Sequence, residues 1–303
     1  MKLYEKSGVN LSQAQKLNKK LSKELGISTF AGKTFLSNGF KFVTCCDGIG
    51  SKIIPLYEDK LYKTIAIDVV AANLNDLICS GATAIGFVDY LAVNKLDSDA
   101  VFQIVQAIDE ELKKCSCKLL GGETSEISEL ITQNNIDISG FAVGIVPEGE
   151  ELDKKNIKAN DVVVGLCSSG IHANGFSLIR KLYQENLLTD EEFQTCLAPS
   201  YIYYNTILKL VQKKLIKSCA NITGGGILSN LLRVIPDDLS VKLDFDKIPH
   251  QKVFQKLKQI CGDEFYEVFN AGVGFCLIAE EKNLQEIFEI CKEFSPFIFG
   301  KIN

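Results

Sequence analysis

The chain has 303 residues, 46% of them apolar and 23% charged, a composition that fits one large or two ordinary folded domains and excludes a disordered tail. Its 33 Lys and Arg against 38 Asp and Glu leave a net charge of −5, and no basic block is dense enough to track a polyanion, so nucleic acid is excluded as a ligand. The longest apolar runs, such as residues 162–167, fall far short of the roughly 18 to 20 residues that cross a bilayer, so no membrane segment is expected.

An acidic residue, Glu5, stands where an export signal would place its apolar core, which predicts a protein that stays in the cytoplasm. Eleven cysteines, odd in number and set among apolar neighbours such as Cys79, Cys167 and Cys276, read as small buried hydrophobes in a reducing compartment. Cys45-Cys46 and Cys115-Ser116-Cys117 lack the spacing of a zinc site, and His172 and His250 are the only imidazoles.

In chain order, Leu11, Ala14, Leu17, Leu21 and Leu25 recur at helical spacing and predict an amphipathic helix over residues 11–26. A Gly/Ser/Thr stretch follows, and residues 42–46 predict a strand that ends at Asp47-Gly48-Ile49-Gly50. Residues 64–69 predict a second strand and residues 71–80 a helix closed by Gly81, with Asp76 inside it. A strand is expected over 87–93, then a helix over 98–114 capped by Asp97 or Ser98, then a short strand over 117–120 running into Gly121-Gly122-Glu123-Thr124. Residues 136–146 give one more strand.

The apolar pattern lapses at Pro147-Glu148-Gly149-Glu150-Glu151 and restarts as a buried strand at residues 161–166, which places a domain boundary near residue 155 and two domains over 1–155 and 156–303. The second part repeats a rhythm of strand, Gly-rich loop and helix: residues 168–175 before a helix over 176–183, and Asn221-Ile222-Thr223-Gly224-Gly225-Gly226 before one over 227–234. Helices and strands alternate in both parts, which predicts a mixed α/β fold.

The short signatures of P-loop ATPases, serine hydrolases, zinc proteases and dinucleotide-binding dehydrogenases are absent. What remains is a set of acids beside glycines. Asp47, Asp68, Asp76 and Glu123 can converge as hard oxygen ligands for Mg²⁺ bridging phosphates, although an Asp before Gly is also the commonest turn dipeptide. The segment Ser168-Ser169-Gly170-Ile171-His172-Ala173-Asn174-Gly175 leads into a helix start whose free N–H groups suit an anion, with His172 placed to move a proton or touch phosphate.

Several segments together resemble the phosphoribosylformylglycinamidine cyclo-ligase (aminoimidazole ribonucleotide synthetase) family. They are Tyr4-x-x-x-Gly8-Val9, Asp47-Gly48-Ile49-Gly50-Ser51-Lys52, Ile67-Asp68-Val69-Val70-Ala71 with Asn75-Asp76-Leu77, and Gly121-Gly122-Glu123-Thr124-Ser125-Glu126. Gly140-Phe141-Ala142-Val143-Gly144, Ser168-Ser169-Gly170-x-His172-x-Asn174-Gly175-x-Ser177, Leu197-Ala198-Pro199, Ile222-Thr223-Gly224-Gly225-Gly226 and Phe269-Asn270-x-Gly272-Val273-Gly274 continue the match in family order. The resemblance implies an N-terminal domain whose sheet forms a barrel-like homodimer interface, a C-terminal α/β domain, and ATP bound between them. It implies that ATP phosphorylates the formyl oxygen of formylglycinamidine ribonucleotide, that an amine closes the imidazole ring, and that ADP and phosphate are released.

By motif, the resemblance makes Asp47, Asp76 and Glu123 ligands of Mg²⁺ and His172, Asp76 and Lys52 the catalytic set. Asp47, Gly48, Asp68, Asn75, Gly121, Gly122, Glu123 and Thr124 become ATP contacts, and Ser169, Gly170, His172, Asn174, Gly175, Asn221, Thr223 and Gly224 substrate contacts. The chain departs from the family in four places: Asn221 replaces a usual His, Ser200-Tyr201 stands where an Arg is usual, residues 30–33 shorten a Gly-rich loop, and the first-helix lysine is matched only by the flanking Lys20 and Lys23. The chain also ends near Gly300, where family members commonly continue. These departures leave open the alternative of a diverged paralogue, or a related kinase of the superfamily that includes selenophosphate synthetase and thiamine-monophosphate kinase, that binds ATP without closing this ring.

Overall fold

Two five-stranded sheets organise the chain. The computed structural model describes residues 3–7, 12–13, 16–17, 20, 23–24, 32–36, 38–132, 135–249 and 251–303. The first sheet holds β1 (Gly32–Leu36), β2 (Phe40–Gly48), β3 (Thr83–Val93), β4 (Leu119–Glu126) and β5 (Ile136–Pro147) in the order β1-β2-β5-β3-β4. Its pairs are antiparallel except β3 with β4, which run parallel because the helix Ser98–Lys114 carries the chain back across the sheet. Asp97 caps that helix by accepting from the amides of Asp99 and Ala100.

β5 shows how side chains sort the two faces: Ile136, Ile138, Ala142 and Val146 are buried, while Asp137 and Phe141 point outward and are exposed. The covered face packs against the helix Tyr62–Ile78. This helix corrects the reading of residues 64–69 as a strand. It is buried on nearly every side, by Ile65, Ala66, Val69, Val70, Leu74 and Leu77 among others, so no polar stripe marks its period, and its cluster of Ile and Val imitates a buried strand.

The second sheet holds β6 (Val162–Cys167), β7 (Ser218–Asn221), β8 (Val241–Leu243), β9 (Val273–Ala279) and β10 (Phe297–Ile302) in the order β7-β9-β6-β10-β8, antiparallel throughout. Every residue of β9 is buried. The expected helix after the first Gly-rich loop spans Phe176–Gln184 and the one after the second spans Gly226–Leu231. In the predicted N-terminal helix, Ser12, Gln13, Lys16, Leu17, Lys20, Lys23 and Glu24 are helical and exposed; Leu11, Ala14, Leu21 and Leu25, like Phe30, Ala31 and His250, lie outside the described residues.

The two sheets are tied together by side chains that satisfy backbone groups across the junction. Asn75 accepts from the Tyr203 amide at 2.8 Å and donates to the Tyr201 carbonyl at 2.9 Å, the Ala84 amide donates to the Tyr204 hydroxyl at 2.8 Å, and Asn205 donates to the Lys114 carbonyl at 2.9 Å. The first three satisfy buried or partly buried polar groups that would otherwise oppose association of the two halves, while the Asn205 bond lies at the surface.

Candidate active site

A cleft of about 270 Å³ opens along this junction. One wall comes from the end of β2 and the turn after it (residues 47–51) and from Asp68, Ala71, Ala72 and Asn75 of the long helix; the other comes from residues 172–177, Ser200 and residues 221–223, with Tyr4 at one side. Asp47, Gly48, Asp68, Asn75, His172, Asn174, Gly175, Asn221 and Thr223 of the predicted site line it.

Asp47 ends β2, where Asn73 of the long helix clamps its backbone, accepting from the Asp47 amide and donating to its carbonyl, both at 3.0 Å. Its carboxyl accepts from the Gly48 amide at 2.9 Å, yet loss of water around it raises its pKa to about 6. Asp76 lies just behind Asn221, whose amide nitrogen donates to Asp76 Oδ1 at 2.8 Å. Burial raises the Asp76 pKa to about 7, opposed by the Asn221 bond and assisted by repulsion from Asp47. Asp47 on the cleft wall and Asp76 behind Asn221 are thus two acids short of water, the first raising the pKa of the second.

His172 is 5% exposed and sits in the left-handed backbone region at φ 61°. Its Nε2 faces the Ser169 amide at 3.4 Å, and burial, aided by the Lys52 charge, lowers its pKa to about 3. The ring is therefore a neutral imidazole at physiological pH, a hydrogen-bonding group rather than a proton carrier. Gly274 of β9 makes room for it: a Cβ there would lie 2.6 Å from His172 Cε1 and 2.0 Å from the Tyr203 hydroxyl. Asn270 braces the same loop by donating to the Gly170 carbonyl at 2.9 Å, and the Ser169 hydroxyl donates to the Pro199 carbonyl at 2.6 Å.

Several predicted site residues have partners within the fold. Lys52 is fully buried, its Nζ 2.7 Å from Asp68 Oδ2 and 2.7 Å from the Ala198 carbonyl, with Asp68 Oδ1 accepting from the Ser200 amide at 2.7 Å. Lys52 and Asp68 thus join the halves, and both Asp68 oxygens are already engaged. Asn75 lines the cleft but spends its amide on the Tyr201 and Tyr203 backbone.

Gly121, Gly122, Glu123 and Thr124 are not a loop at the cleft but part of edge strand β4. The strand register runs Gly48, Ser139, Tyr90, Glu123, which puts Glu123 three strand spacings, or about 14 Å, from the end of β2. Gly122 instead accommodates a neighbour, since a Cβ there would lie 2.3 Å from Asp89 Oδ1. Among the described residues no group of three or more metal-ligating side chains forms, so Asp47, Asp76 and Glu123 do not assemble one site within the chain. Sequence reasoning also left Asn73, Ser200 and Glu264 unassigned; Asn73 and Glu264 bind backbone far away in the chain, the Ser200 amide donates to the Asp68 carboxylate, and no local spacing marks such partners.

The family model described as "AIR synthase related protein, N-terminal domain" matches residues 22–146, and its C-terminal counterpart matches residues 158–302. A Clostridium perfringens protein named phosphoribosylformylglycinamidine cyclo-ligase is 36% identical, with 100% of this chain and 97% of that protein covered. Among solved structures, a HypE-HypF complex aligns with a TM-score of 0.71 at 18% identity over 95% of this chain and 92% of that one, and AaThiL complexed with AMPPCP and TMP with 0.70 at 14% over 97% and 93%; both share the fold. With both family domains matched in order and a full-length relative at this identity, the chain belongs to the AIR synthase related family.

Proposed function

We propose that this protein closes the imidazole ring of 5-aminoimidazole ribonucleotide from formylglycinamidine ribonucleotide, using ATP in purine biosynthesis. The observation that carries the reading is the cleft itself, in which Asp47 faces residues 172–177 across the junction, with Asp76 close behind it on Asn221. Relatives covering the whole chain bear the name of this cyclo-ligase, and solved structures of the same fold hold ADP or AMPPCP.

Phosphoryl transfer to the formyl oxygen needs positioned charge more than a covalent nucleophile. The formyl C–O bond breaks as the ring nitrogen bonds to the formyl carbon, phosphate carries the oxygen away, and ADP is the second product. Asp47 and Asp76 fit Mg²⁺, which takes one or two carboxylates together with substrate phosphates, because burial leaves both acids short of compensating charge. That ion would supply charge neutralisation at the phosphates. His172, held neutral, hydrogen-bonds the substrate, while the Lys52–Asp68 pair fixes the distance between the walls.

The outward face of the first sheet supports a homodimer, because Ile85 and Phe141 are 43% and 38% exposed there beside Thr44 and Cys46. Eleven unpaired thiols fit a reducing cytoplasm. The decisive experiment supplies ATP, Mg²⁺ and formylglycinamidine ribonucleotide and follows ADP together with the aminoimidazole product. ATP hydrolysis without the imidazole, or binding without turnover, favours the diverged paralogue, for which Asn221 is the observation.

A further inference from the structure

The short helix Leu3–Lys6 has only four residues, too few to persist on its own. It is held by one carboxylate more than 250 positions along the chain: Glu264 accepts from the Leu3 amide through Oε2 and from the Tyr4 amide through Oε1, both at 2.8 Å. Charge-assisted bonds to two free amides of a helix start are among the stronger polar contacts a surface segment can make. Ser7 closes the turn, its amide and hydroxyl both donating to the Tyr4 carbonyl.

The clamp delivers the Tyr4 side chain to the cleft, where it lines the same space as Asp47, His172 and Ser177. Gly175 lines the same cleft, and burial raises the phenol's pKa against the opposing influence of the Gly175 backbone, so the hydroxyl keeps its hydrogen and the cleft is the open direction for an acceptor. Glu264 does not itself line the cleft.

We propose that Tyr4 is a substrate-contact residue, donating its hydroxyl hydrogen to the phosphorylated ribose of the nucleotide substrate, and that Glu264 is the positioning residue that straps the N-terminal turn across the cleft. The inference rests on the ring-closing reading of this site and adds to it a specificity element contributed by the chain's first turn.

The test measures binding of formylglycinamidine ribonucleotide by titration and steady-state kinetics in the full chain, for the wild type, Tyr4→Phe, Glu264→Ala, Glu264→Gln and the double variant Tyr4→Phe/Glu264→Ala. Loss of one hydrogen bond to a charged group raises the Kd and KM for the ribonucleotide about tenfold or more in Tyr4→Phe, with the KM for ATP and kcat little changed. Glu264→Ala gives a similar rise and Glu264→Gln, which keeps one acceptor oxygen, a smaller one. The double variant is no worse than the poorer single one, because Glu264 acts through Tyr4. Wild-type affinity in Tyr4→Phe overturns the proposal even if Glu264→Ala fails to fold, and additive losses in the double variant overturn the positioning role. A wild type that neither binds nor converts the ribonucleotide defeats the reading of the whole site, whereas a fully active wild type with unchanged variants defeats the strap alone.

Discussion

Replacing Asp76 by Asn removes a charge that the fold holds at a cost, and the cost has a defined pH signature. The Asp76 pKa rises from the model-peptide value of 3.8 to about 7 on folding, chiefly through burial. A carboxyl with a raised folded pKa binds its proton more tightly in the native state, so its burden is absent below about pH 4, grows as the unfolded chain ionises first, and is complete above about pH 7. At ~1.4 kcal/mol per pKa unit, the burden gained between pH 5 and pH 8 is at most about 3 kcal/mol, and partial hydration of the half-buried carboxyl reduces it to about 1–2 kcal/mol.

Urea unfolding of both proteins at pH 5 and pH 8, with EDTA present, reads this as a difference of differences. Asp76→Asn gains stability over the wild type on going from pH 5 to pH 8, while changes in packing cancel because they are common to both values. Turnover falls sharply in the same variant, since the amide cannot supply the second negative charge of the pair. Identical pH dependence of stability in the two proteins would refute the assignment of Asp76 as a water-starved acid.

Other consequences are equally direct. Lys52→Met strands Asp68 as a buried, uncompensated carboxyl and lowers stability by about 3–5 kcal/mol, read as a shift in the urea midpoint. Gly274→Ala forces a methyl against His172 and the Tyr203 hydroxyl and costs at least about 1–3 kcal/mol, visible as a lower Tm together with weaker ribonucleotide binding. The His172 ring resonances stay flat between pH 5 and pH 8, because its pKa lies near 3; as a base whose folded pKa is depressed, His172 opposes folding only as pH falls below about 6.5, so the stability lost in acid is smaller in His172→Asn. A resonance that titrates near pH 6.5 contradicts the buried, neutral imidazole.

Much of this architecture is written locally and was legible. Strand β5, helix Ser98–Lys114 with its Asp97 cap, and the loop that leads into Phe176–Gln184 all follow from periods, caps and glycines that act within a few residues. Asp47 is found by the same means, because it sits where a strand gives way to a Gly-rich turn, whereas Asn221 is marked by the family resemblance. The readings that failed depend on surroundings. Residues 64–69 form part of a helix because both its sides are covered, and Lys52 becomes a strut because Asp68 and the Ala198 carbonyl reach it from two separate segments, with the Ser200 amide holding Asp68 in turn. Glu123 follows two glycines in the sequence and suggests a phosphate loop, but strand pairing with β3 holds it in an edge strand away from Asp47. Glu264 carries no motif; its importance comes from what the N-terminus does when it folds back over it.

In the proposed reaction the formyl oxygen is activated by phosphorylation before the ring closes. Substrate labelled with ¹⁸O at the formyl oxygen, incubated with ATP and Mg²⁺ and read by ³¹P NMR, tests it most directly. The label is expected in the inorganic phosphate, one atom for each imidazole formed. Imidazole formed with the label released to water, or phosphate formed without label, would contradict it.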